Sequence, residues 1–514
     1  MTLSGIAGPA RGASGVRTLH THDALRSDYD YVIVGAGSAG CVLAHRIGEA
    51  GHRVLLIEAG GPATLPAIAH PPDWPQLQGS AVDWRFVTVP QVGLGGRVVA
   101  CPRGKVLGGS STINALAYQR GHHALYDRWP TGWRFADLLP YFKRAETFSG
   151  GADEWRGGNG PLHVLSLADV TDRTPVAAAF VQAARNRGFP MSPDIGGAMT
   201  TGVAWNQLSI RAGARDDAAT AYLGSLQRGT VELLMQTEVL GLTIENGRCI
   251  GVALPGGVVR AEAEVLLCAG AIDSPRLLML SGIGPASALR SHGIRMVQDL
   301  PEVGRNLQDH LLVAGVAYAA RRDVPPSHYN HADAVLYIPR DNPNEAPEHL
   351  VMCLSLPFVL PTVGPLPPPA YVLTPCLIAP ASRGQVTLAS ADPRAPALID
   401  PAYLSNPSDL DRLVEGVARA QEIGADRAFA DWRAKEVYPG AMEPRAFVRR
   451  AANSFHHPVG TCAMGAVVDE RLRVHGINGL RVIDASVMPE IPRAMVNAAT
   501  IAIAERASDL VLVG

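Results

Sequence analysis

Residues 29–58 read YDYVIVGAGSAGCVLAHRIGEAGHRVLLIE, and this stretch decides the fold. The apolar run before the glycines predicts a buried strand, which the turn GAGSAG at 35–40 follows directly. A helix is predicted over 41–50, and a second apolar strand over 53–57 leads to an acid, Glu58. A strand, a glycine turn, a helix, a strand and an acid in this order predict one βαβ unit that binds a dinucleotide.

The glycines of this unit have separate physical roles. Gly35 permits a tight turn, Gly37 lets the backbone approach a pyrophosphate, and Gly40 lets the helix and strand pack closely. The helix N-terminus offers free N–H groups to phosphates, and Glu58 can accept hydrogen bonds from ribose hydroxyls. A glycine turn without a ligand is the alternative, and the motif does not separate FAD from NAD. The candidate cofactor contacts in this unit are Gly35, Gly37, Ser38, Ala39, Gly40 and Glu58.

Composition excludes several classes of protein. The chain has 514 residues, enough for two domains, and its formal net charge of −2 does not favour nucleic acid or an anionic membrane. Seven cysteines without a C-x-x-C pair argue against a disulfide framework and a zinc site, and we expect no metal. No apolar stretch reaches the ~18 residues of a membrane helix. We expect residues 1–27 to be a disordered N-terminal extension without a secretory signal, and the protein to be cytoplasmic.

The remainder of the chain alternates helical and strand-like patterns. A cover rich in proline and tryptophan occupies 62–100, and strand patterns with turns at Asn246-Gly247 and Gly256-Gly257 fill 229–268. Residues 311–400 suit an antiparallel sheet, and 479–484 form another buried strand. Helices are predicted near 135–147, 174–187, 407–424, 443–452 and 497–512.

Five sequence blocks carry a family resemblance. They are RGKVLGGSSTIN at 103–114, GAIDSPRLLMLSGIGP at 270–285, VGRNLQDH at 303–310, HPVGTC at 457–462 and VIDASVMP at 482–489. In this order and spacing they resemble the glucose–methanol–choline (GMC) oxidoreductase family, chiefly its choline dehydrogenase-like and hydroxymethylfurfural oxidase-like members. The resemblance covers the chain from about residue 28 to the end.

The resemblance implies the GMC-type two-domain fold. An α/β, Rossmann-like FAD-binding domain would interleave with an α+β substrate domain that contains an antiparallel sheet. The FAD-binding domain would comprise 28–310, discontinuously, and 453–514. The substrate domain would comprise 311–452 and part of 135–225, and the alcohol would bind between the two domains under the cover.

The resemblance also implies FAD as the cofactor. The 103–114 loop would wrap the pyrophosphate and reach the flavin, Val239 would meet the adenine, and Asp484 and Ala485 would lie near the ribityl chain. Some members bond the flavin through a histidine, and because Ile113 takes its place here we expect noncovalent FAD. The further candidate contacts are Arg103, Val106, Gly109, Asn114, Ala117, Val239, Asp484, Ala485 and Asn497.

Two residues are the candidates for catalysis. Alcohol oxidation requires a base with a pKa near neutrality, and His457, the histidine of the HPVGTC block, matches the family's flavin-facing histidine. Asn497 matches the second active-site position, where its amide would hydrogen-bond the substrate oxygen. A helix N-cap is the alternative role for Asn497, and both can hold together. We interpret His310, His163 and the pair His122-His123 as structural.

The resemblance therefore implies oxidation of a primary alcohol to the aldehyde, with hydride transfer to flavin N5 and His457 as base. An FAD-retaining lyase similar to hydroxynitrile lyases and a non-catalytic flavoprotein remain as alternatives. The expected partners are a small alcohol and either oxygen or a quinone-type carrier as electron acceptor. A second copy of the chain, in a homodimer, is a further candidate partner. The sequence does not name the alcohol, and it does not separate an oxidase from a dehydrogenase.

Overall fold

The computed structural model describes residues 15–19, 25–26, 28–226, 230–340, 342 and 345–514. Two eight-stranded sheets organise them. The first sheet has a parallel centre, and the second is antiparallel throughout. Among the described residues, no helix combines the length and the apolar character needed to cross a membrane.

The first sheet contains the predicted βαβ unit. Its strands follow the spatial order Val16–Leu19, Val231–Leu234, Val54–Ile57, Tyr29–Val34, Gly257–Leu267, Arg248–Leu254 and Gly241–Glu245, while Leu480–Val482 also pairs with Gly257–Leu267. The central strands are apolar along their whole length because helices cover them, and every residue of Val54–Ile57 is buried. The helix Ser38–Glu49 follows the glycine turn and packs on the last helix, Val496–Leu512.

The expectation of disorder over 1–27 is wrong for one segment. Val16–Leu19 is a strand that pairs in parallel with Val231–Leu234 at the edge of the first sheet. Arg17 and Arg26 both bind Glu232, so charge pairs hold this segment against the sheet although its composition is poor in apolar residues. Residues 1–14, 20–24 and 27 lie outside the described part of the chain.

The second sheet matches the antiparallel sheet predicted over 311–400. Its strands follow the order Arg433–Tyr438, Val316–Ala320, Ala370–Leu377, Pro347–Leu354, Ala334–Pro339 and Gly202–Trp205, while Leu311–Val313 pairs with both Ala370–Leu377 and Ala452–Ser454. The strand Ala452–Ser454 crosses the expected domain boundary at 452/453, because it completes this sheet rather than the first. The division into two domains otherwise stays a prediction.

Helices cover both sheets. The predicted long helices are present as Phe135–Ala145, Pro175–Asn186, Pro407–Gly424, Pro444–Ala451 and Val496–Leu512. Seven more described helices are Ser38–Glu49, Pro66–Ala69, Ser110–Ile113, His123–Tyr126, Ala218–Tyr222, Gly270–Leu280 and Ala286–Ser291. Short strand ladders join Phe86–Val87 with Ala100–Cys101, Glu146–Phe148 with Leu162–Ser166 and Gln207–Leu208, Ile210–Arg211 with Ala214–Arg215, Ile283–Gly284 with Gln298–Asp299, and Gln385–Thr387 with Leu398–Asp400.

The topology brings distant loops to one edge of the first sheet. Five of its parallel strands end there, at Val34, Ile57, Leu234, Leu267 and Val482. Ligands of open α/β sheets bind at the carboxyl ends of the strands, because the loops that follow are free to vary. A site at this edge draws residues from the whole length of the chain.

Candidate active site

A cavity of about 570 Å³ lies between this edge and the second sheet. It has the size of an ordinary small-molecule or cofactor site. The predicted residues that line it are Gly35, Gly37, Ser38, Ala39, Glu58, Arg103, Gly109, Asn114, Ala117, Val239, His457, Asp484, Ala485 and Asn497. Of the predicted set, only Gly40 and Val106 are not in its wall.

Backbone contacts explain the glycines. A side chain at Gly40 would lie 1.9 Å from the carbonyl oxygen of Gly35, so the helix could not pack on the strand. Gly109 has φ +55°, and its Cβ would lie 2.7 Å from the Cα of Gly37. The two glycine-rich loops therefore contact each other through bare backbone, so no side chain at these positions keeps an anionic ligand from approaching them.

The helix Ser38–Glu49 begins at the cavity. Its cap residue is Gly37, which supplies no side-chain cap, and its first turn carries no acidic residue. The free N–H groups and the positive end of the dipole are thus unneutralised where the cavity begins, which suits a pyrophosphate.

Glu58 directly follows the second strand of the βαβ unit and lies in the cavity wall. Its carboxylate accepts hydrogen bonds from the backbone N–H of Ala36 at 2.9 Å and of Gly60 at 2.8 Å. Burial raises its pKa to about 7, and these two N–H groups only partly offset that effect. The carboxylate oxygens keep lone pairs for further donors, so ribose hydroxyls would relieve an unfavourable burial.

Asp484 joins two of the strand-end loops. One oxygen accepts from the N–H of Gly270 at 2.9 Å and the hydroxyl of Ser274 at 2.6 Å, and the other accepts from the N–H of Ser486 at 2.8 Å. Burial raises the pKa of this carboxyl. Asp484 therefore holds the loops in place, while Ala485 beside it stays in the wall.

His457 lies in the cavity wall between two rings. The centroid of Phe455 is 4.5 Å from it and that of His310 is 5.2 Å away. Its backbone N–H donates to Asp309 at 2.7 Å. Burial lowers the pKa of His457 well below 6.5, and the neighbouring His310 and Arg103 lower it further. The imidazole is consequently neutral near pH 7 and has a lone pair to accept a proton.

Sequence reasoning missed the contact of His310 with this ring. The Nδ1 atoms of His310 and His457 are 3.0 Å apart. Burial lowers the pKa of His310 to about 3, so this ring is neutral as well. The available signal was its position at the end of the VGRNLQDH block, which the topology places beside His457.

The structure excludes one of the two predicted roles of Asn497, the helix N-cap. The cap of the last helix is Met495, so Asn497 occupies the second helical position and is not the N-cap. The hydroxyl of Ser38 donates to its side-chain oxygen at 2.6 Å. This contact ties the N-termini of two helices together and leaves the amide N–H groups of Asn497 for another acceptor in the cavity.

The opposite wall comes mainly from the second sheet, and the sequence could not identify it. Its described apolar residues include Leu312, Met352, Leu354, Leu356, Phe358 and Leu360. Their strands were predictable from apolar runs, but these runs do not show which face meets the cavity. The 62–100 cover adds Trp74, whose indole N–H donates to the carbonyl of Asn330 at 3.1 Å.

The cavity fits FAD by the chemistry of its donors. Bare backbone from two loops, an uncapped helix start and a buried carboxylate directly after the second strand are the features that a dinucleotide uses. All of them meet one continuous space that extends to a neutral imidazole.

Comparison with known proteins gives consistent matches. The sequence profile of the GMC oxidoreductase family matches residues 29–312 and 380–504. Pyridoxine 4-oxidase from Microbacterium luteolum is 37% identical over 501 residues, covering 93% of this chain and 98% of that protein. Mitochondrial choline dehydrogenase from Mus musculus is 38% identical over 541 residues, covering 95% and 90%.

A solved structure agrees with the fold. The crystal structure of pyridoxine 4-oxidase from Mesorbium loti has a TM-score of 0.90 and 38% identity, over 94% of this chain and 98% of that one. The matches confirm both the predicted fold class and the family resemblance.

Proposed function

The chain belongs to the GMC oxidoreductase family, and from that premise we propose that it oxidises a primary alcohol to the aldehyde with His457 as the base. As a member it is an FAD-dependent oxidoreductase that acts on CH–OH donors. The observation that carries the finer proposal is the single cavity that contains both the strand-end loops and the neutral ring of His457.

The residues that would hold FAD come from the two glycine-rich loops and the helix that follows the first of them. Gly37, Gly109 and the start of the helix Ser38–Glu49 would meet the pyrophosphate, and Glu58 would accept from the ribose. Ile113 provides no group that could bond the flavin, which supports noncovalent binding at this position. When bound, FAD supplies the hydride acceptor of the reaction.

His457 would remove the hydroxyl proton of the alcohol. A neutral imidazole accepts it through the ring nitrogen that does not face His310, namely Nε2. The apolar surroundings exclude water, which keeps the proton transfer between the alcohol and His457.

Asn497 would hold the alcohol oxygen. Its side-chain oxygen is engaged by Ser38, so the orientation of the amide directs its N–H groups elsewhere in the cavity. Donation of such an N–H to the substrate oxygen would stabilise the negative charge that develops as the proton leaves.

We further propose a reducing, cytoplasmic environment, which the seven unpaired buried cysteines support. Oxygen and a quinone-type carrier are the two candidate electron acceptors. A homodimer stays a prediction.

The test is an anaerobic screen of primary alcohols on the flavin-loaded protein. The proposal expects the absorbance of oxidised flavin to bleach, with the aldehyde formed in equal amount. A lyase or a non-catalytic flavoprotein would keep its flavin oxidised with every alcohol. Reoxidation by air and by a soluble quinone, measured after bleaching, separates the two electron acceptors.

A further inference from the structure

The charges around the cavity are distributed unequally. Charged residues in its described wall are Glu58, Arg103, Glu238, Asp273, Arg276 and Asp484. All of them belong to the loops and the helix at the edge of the first sheet or to the glycine-rich 103–114 loop. The described residues that the second sheet and its connections contribute to the wall carry no charge.

None of these carboxylates is available to a substrate cation. Asp273 binds Arg276 at 2.6 Å, and Glu238 lies 3.6 Å from the same guanidinium. Asp484 is already engaged by backbone N–H groups and a hydroxyl, and the remaining lone pairs of Glu58 are those that the ribose of FAD would use. An alkylammonium group in this cavity would therefore be desolvated without a counterion, which is strongly unfavourable.

A cation lies beside the proposed base. The guanidinium of Arg103 donates to the carbonyl of His456 at 2.5 Å, next to His457. It faces the cavity, so it would repel a second positive charge bound in front of the imidazole.

Aromatic rings line the cavity, among them Trp74, Phe358 and Phe455, but two other aromatic residues of this region are not free to face a cation. Tyr371 is not in the wall and stacks on Tyr318, with ring centroids 5.3 Å apart. The ring of Trp84 already carries the ammonium of Lys105, 4.2 Å from its centroid. The remaining rings would therefore have to hold a quaternary ammonium group without a carboxylate partner.

We propose that the substrate is an uncharged primary alcohol with an apolar body, and that quaternary ammonium alcohols are rejected. The inference rests on the proposed alcohol oxidation and names its substrate class. Because relatives of similar identity include both pyridoxine 4-oxidase and choline dehydrogenases, sequence identity alone does not decide between these classes.

The test uses matched pairs of alcohols that differ only in charge. Choline is compared with 3,3-dimethylbutan-1-ol, in which carbon replaces nitrogen, and 4-(trimethylammonio)benzyl alcohol is compared with 4-tert-butylbenzyl alcohol. Anaerobic stopped-flow reduction of the flavin-loaded enzyme gives a limiting rate constant and an apparent Kd for each alcohol. The ratio of these two values should be higher for the neutral member of each pair by about 100-fold or more.

A variant locates the cause. Met352→Glu introduces a carboxylate into the neutral wall and should raise the choline-to-isostere ratio at pH 8 by about tenfold or more. Met199→Glu at an exposed position is the matched control and should leave the ratio unchanged.

The outcomes separate the two levels of the proposal. Equal or faster reduction by the cationic members overturns the substrate class while the proposed oxidation stands. Absence of bleaching with all four alcohols removes the proposed oxidation and the substrate class with it.

A second inference rests on the histidine pair. Two nitrogens 3.0 Å apart share one hydrogen, so one Nδ1 donates and the other accepts. If Nε2 of His457 is to accept the alcohol proton, its Nδ1 must carry the hydrogen and donate to His310. We infer that His310 is a positioning residue that holds His457 in the tautomer required of the base.

The same contact stabilises the product of the proton transfer. After His457 has accepted the proton it is a cation, and its Nδ1–H then makes a charge-assisted hydrogen bond to the neutral ring of His310. Asp309 supports the arrangement, because its carboxylate accepts from the backbone N–H of His457 and from the hydroxyls of Tyr403 and Ser454.

Two variants of the flavin-loaded enzyme test this role. His310→Ala removes the acceptor and should slow flavin reduction by about 10- to 100-fold and shift the acid limb of the pH profile. His310→Asn keeps an acceptor near the position of Nδ1 and should recover most of the rate, as should free imidazole added to the Ala variant.

A merely structural role gives a different pattern. In that case both variants lose flavin content and thermal stability alike, and neither imidazole nor asparagine restores the pH profile. This pattern, or an unchanged rate in the Ala variant, overturns the inference.

Discussion

The two walls of the cavity are built by opposite means. The loop wall, at the edge of the first sheet, consists of backbone, glycine and charged groups that already have partners. The sheet wall, from the second sheet, consists mainly of apolar side chains such as Leu312 and Met352 and carries no charge. Close approach of the backbone leaves glycines at fixed positions in the sequence, whereas an apolar run does not show which of its side chains face the cavity.

This difference separates cofactor binding from substrate choice. Changes in the loop wall should alter flavin binding and leave the preference among alcohols intact. Changes in the sheet wall should do the reverse. His457 lies where the walls meet, so its replacement should affect the rate alone.

The largest effect is expected at this meeting point. His457→Gln removes the proton acceptor and should slow anaerobic flavin reduction by about 10²- to 10⁴-fold. Flavin content and the relative order of alcohols should not change. Stopped-flow absorbance and a flavin-to-protein ratio measure both quantities.

His163→Gln is the matched control, because His163 pairs with Asp216 and does not line the cavity. Its rate of flavin reduction should equal that of the unaltered enzyme. Retention of the wild-type rate in His457→Gln would mean that another group is the base. The reaction centre would then not lie at His457, where the loop wall and the sheet wall meet.

The next effect concerns Glu58 in the loop wall. Its folded pKa of about 7 exceeds the ordinary value of 4.5, so the flavin-free protein binds a proton that the unfolded chain releases. The stability that this proton confers is fully present below pH 4.5 and is lost as the pH rises through 7. The difference corresponds to about 3 kcal/mol in the free energy of unfolding.

Urea unfolding of the flavin-free protein at pH 4.5 and pH 8 measures this effect. Glu58→Gln should lack this part of the pH dependence, and bound FAD should reduce it in the unaltered protein. Glu245→Gln, at an exposed position, is the control and should behave as the parent. If the free energy of unfolding depends on pH in the same way in the parent and in Glu58→Gln, the pKa of this carboxyl is not raised in the folded protein.

The fold was predictable to the extent that apolar periodicity defines it. The strand 29–34, the glycine turn and the last helix follow from local patterns that the structure confirms. Val16–Leu19 was not predictable, because its pairing depends on Glu232, more than 200 residues away in sequence. Local composition does not contain such a contact.

The site residues also fall into those that the sequence could identify and those that depend on the fold. Gly37 and Gly109 could be identified because close backbone approach demands glycine. The contact of His310 with His457 and the neutral sheet wall depend on the fold, since they join strands that the sequence separates. The cap role of Asn497 was wrong, because the helix begins one residue earlier than its pattern indicates.

A smaller effect is expected where the two glycine loops touch. Gly109→Ala places a methyl group 2.7 Å from the Cα of Gly37 in a left-handed backbone, and should weaken FAD binding by about 10- to 100-fold. Gly213→Ala also places a side chain at a positive φ, +79°, but has nothing within 4 Å, so FAD affinity should not change. Flavin titration of the apoprotein measures the difference. A changed order of alcohols in Gly109→Ala would contradict the separation of the walls.

The smallest effect tests the sheet wall. Met352→Ala removes apolar contact with the substrate body, and should raise the KM for a neutral alcohol by about tenfold with little change in kcat. Flavin content should stay at the parent level, because Met352 belongs to the strand Pro347–Leu354 and not to the loops. Met199→Ala, on an exposed side chain, should change neither value. If Met352→Ala instead lost flavin, the sheet wall would take part in cofactor binding, and the two walls would not have separate functions.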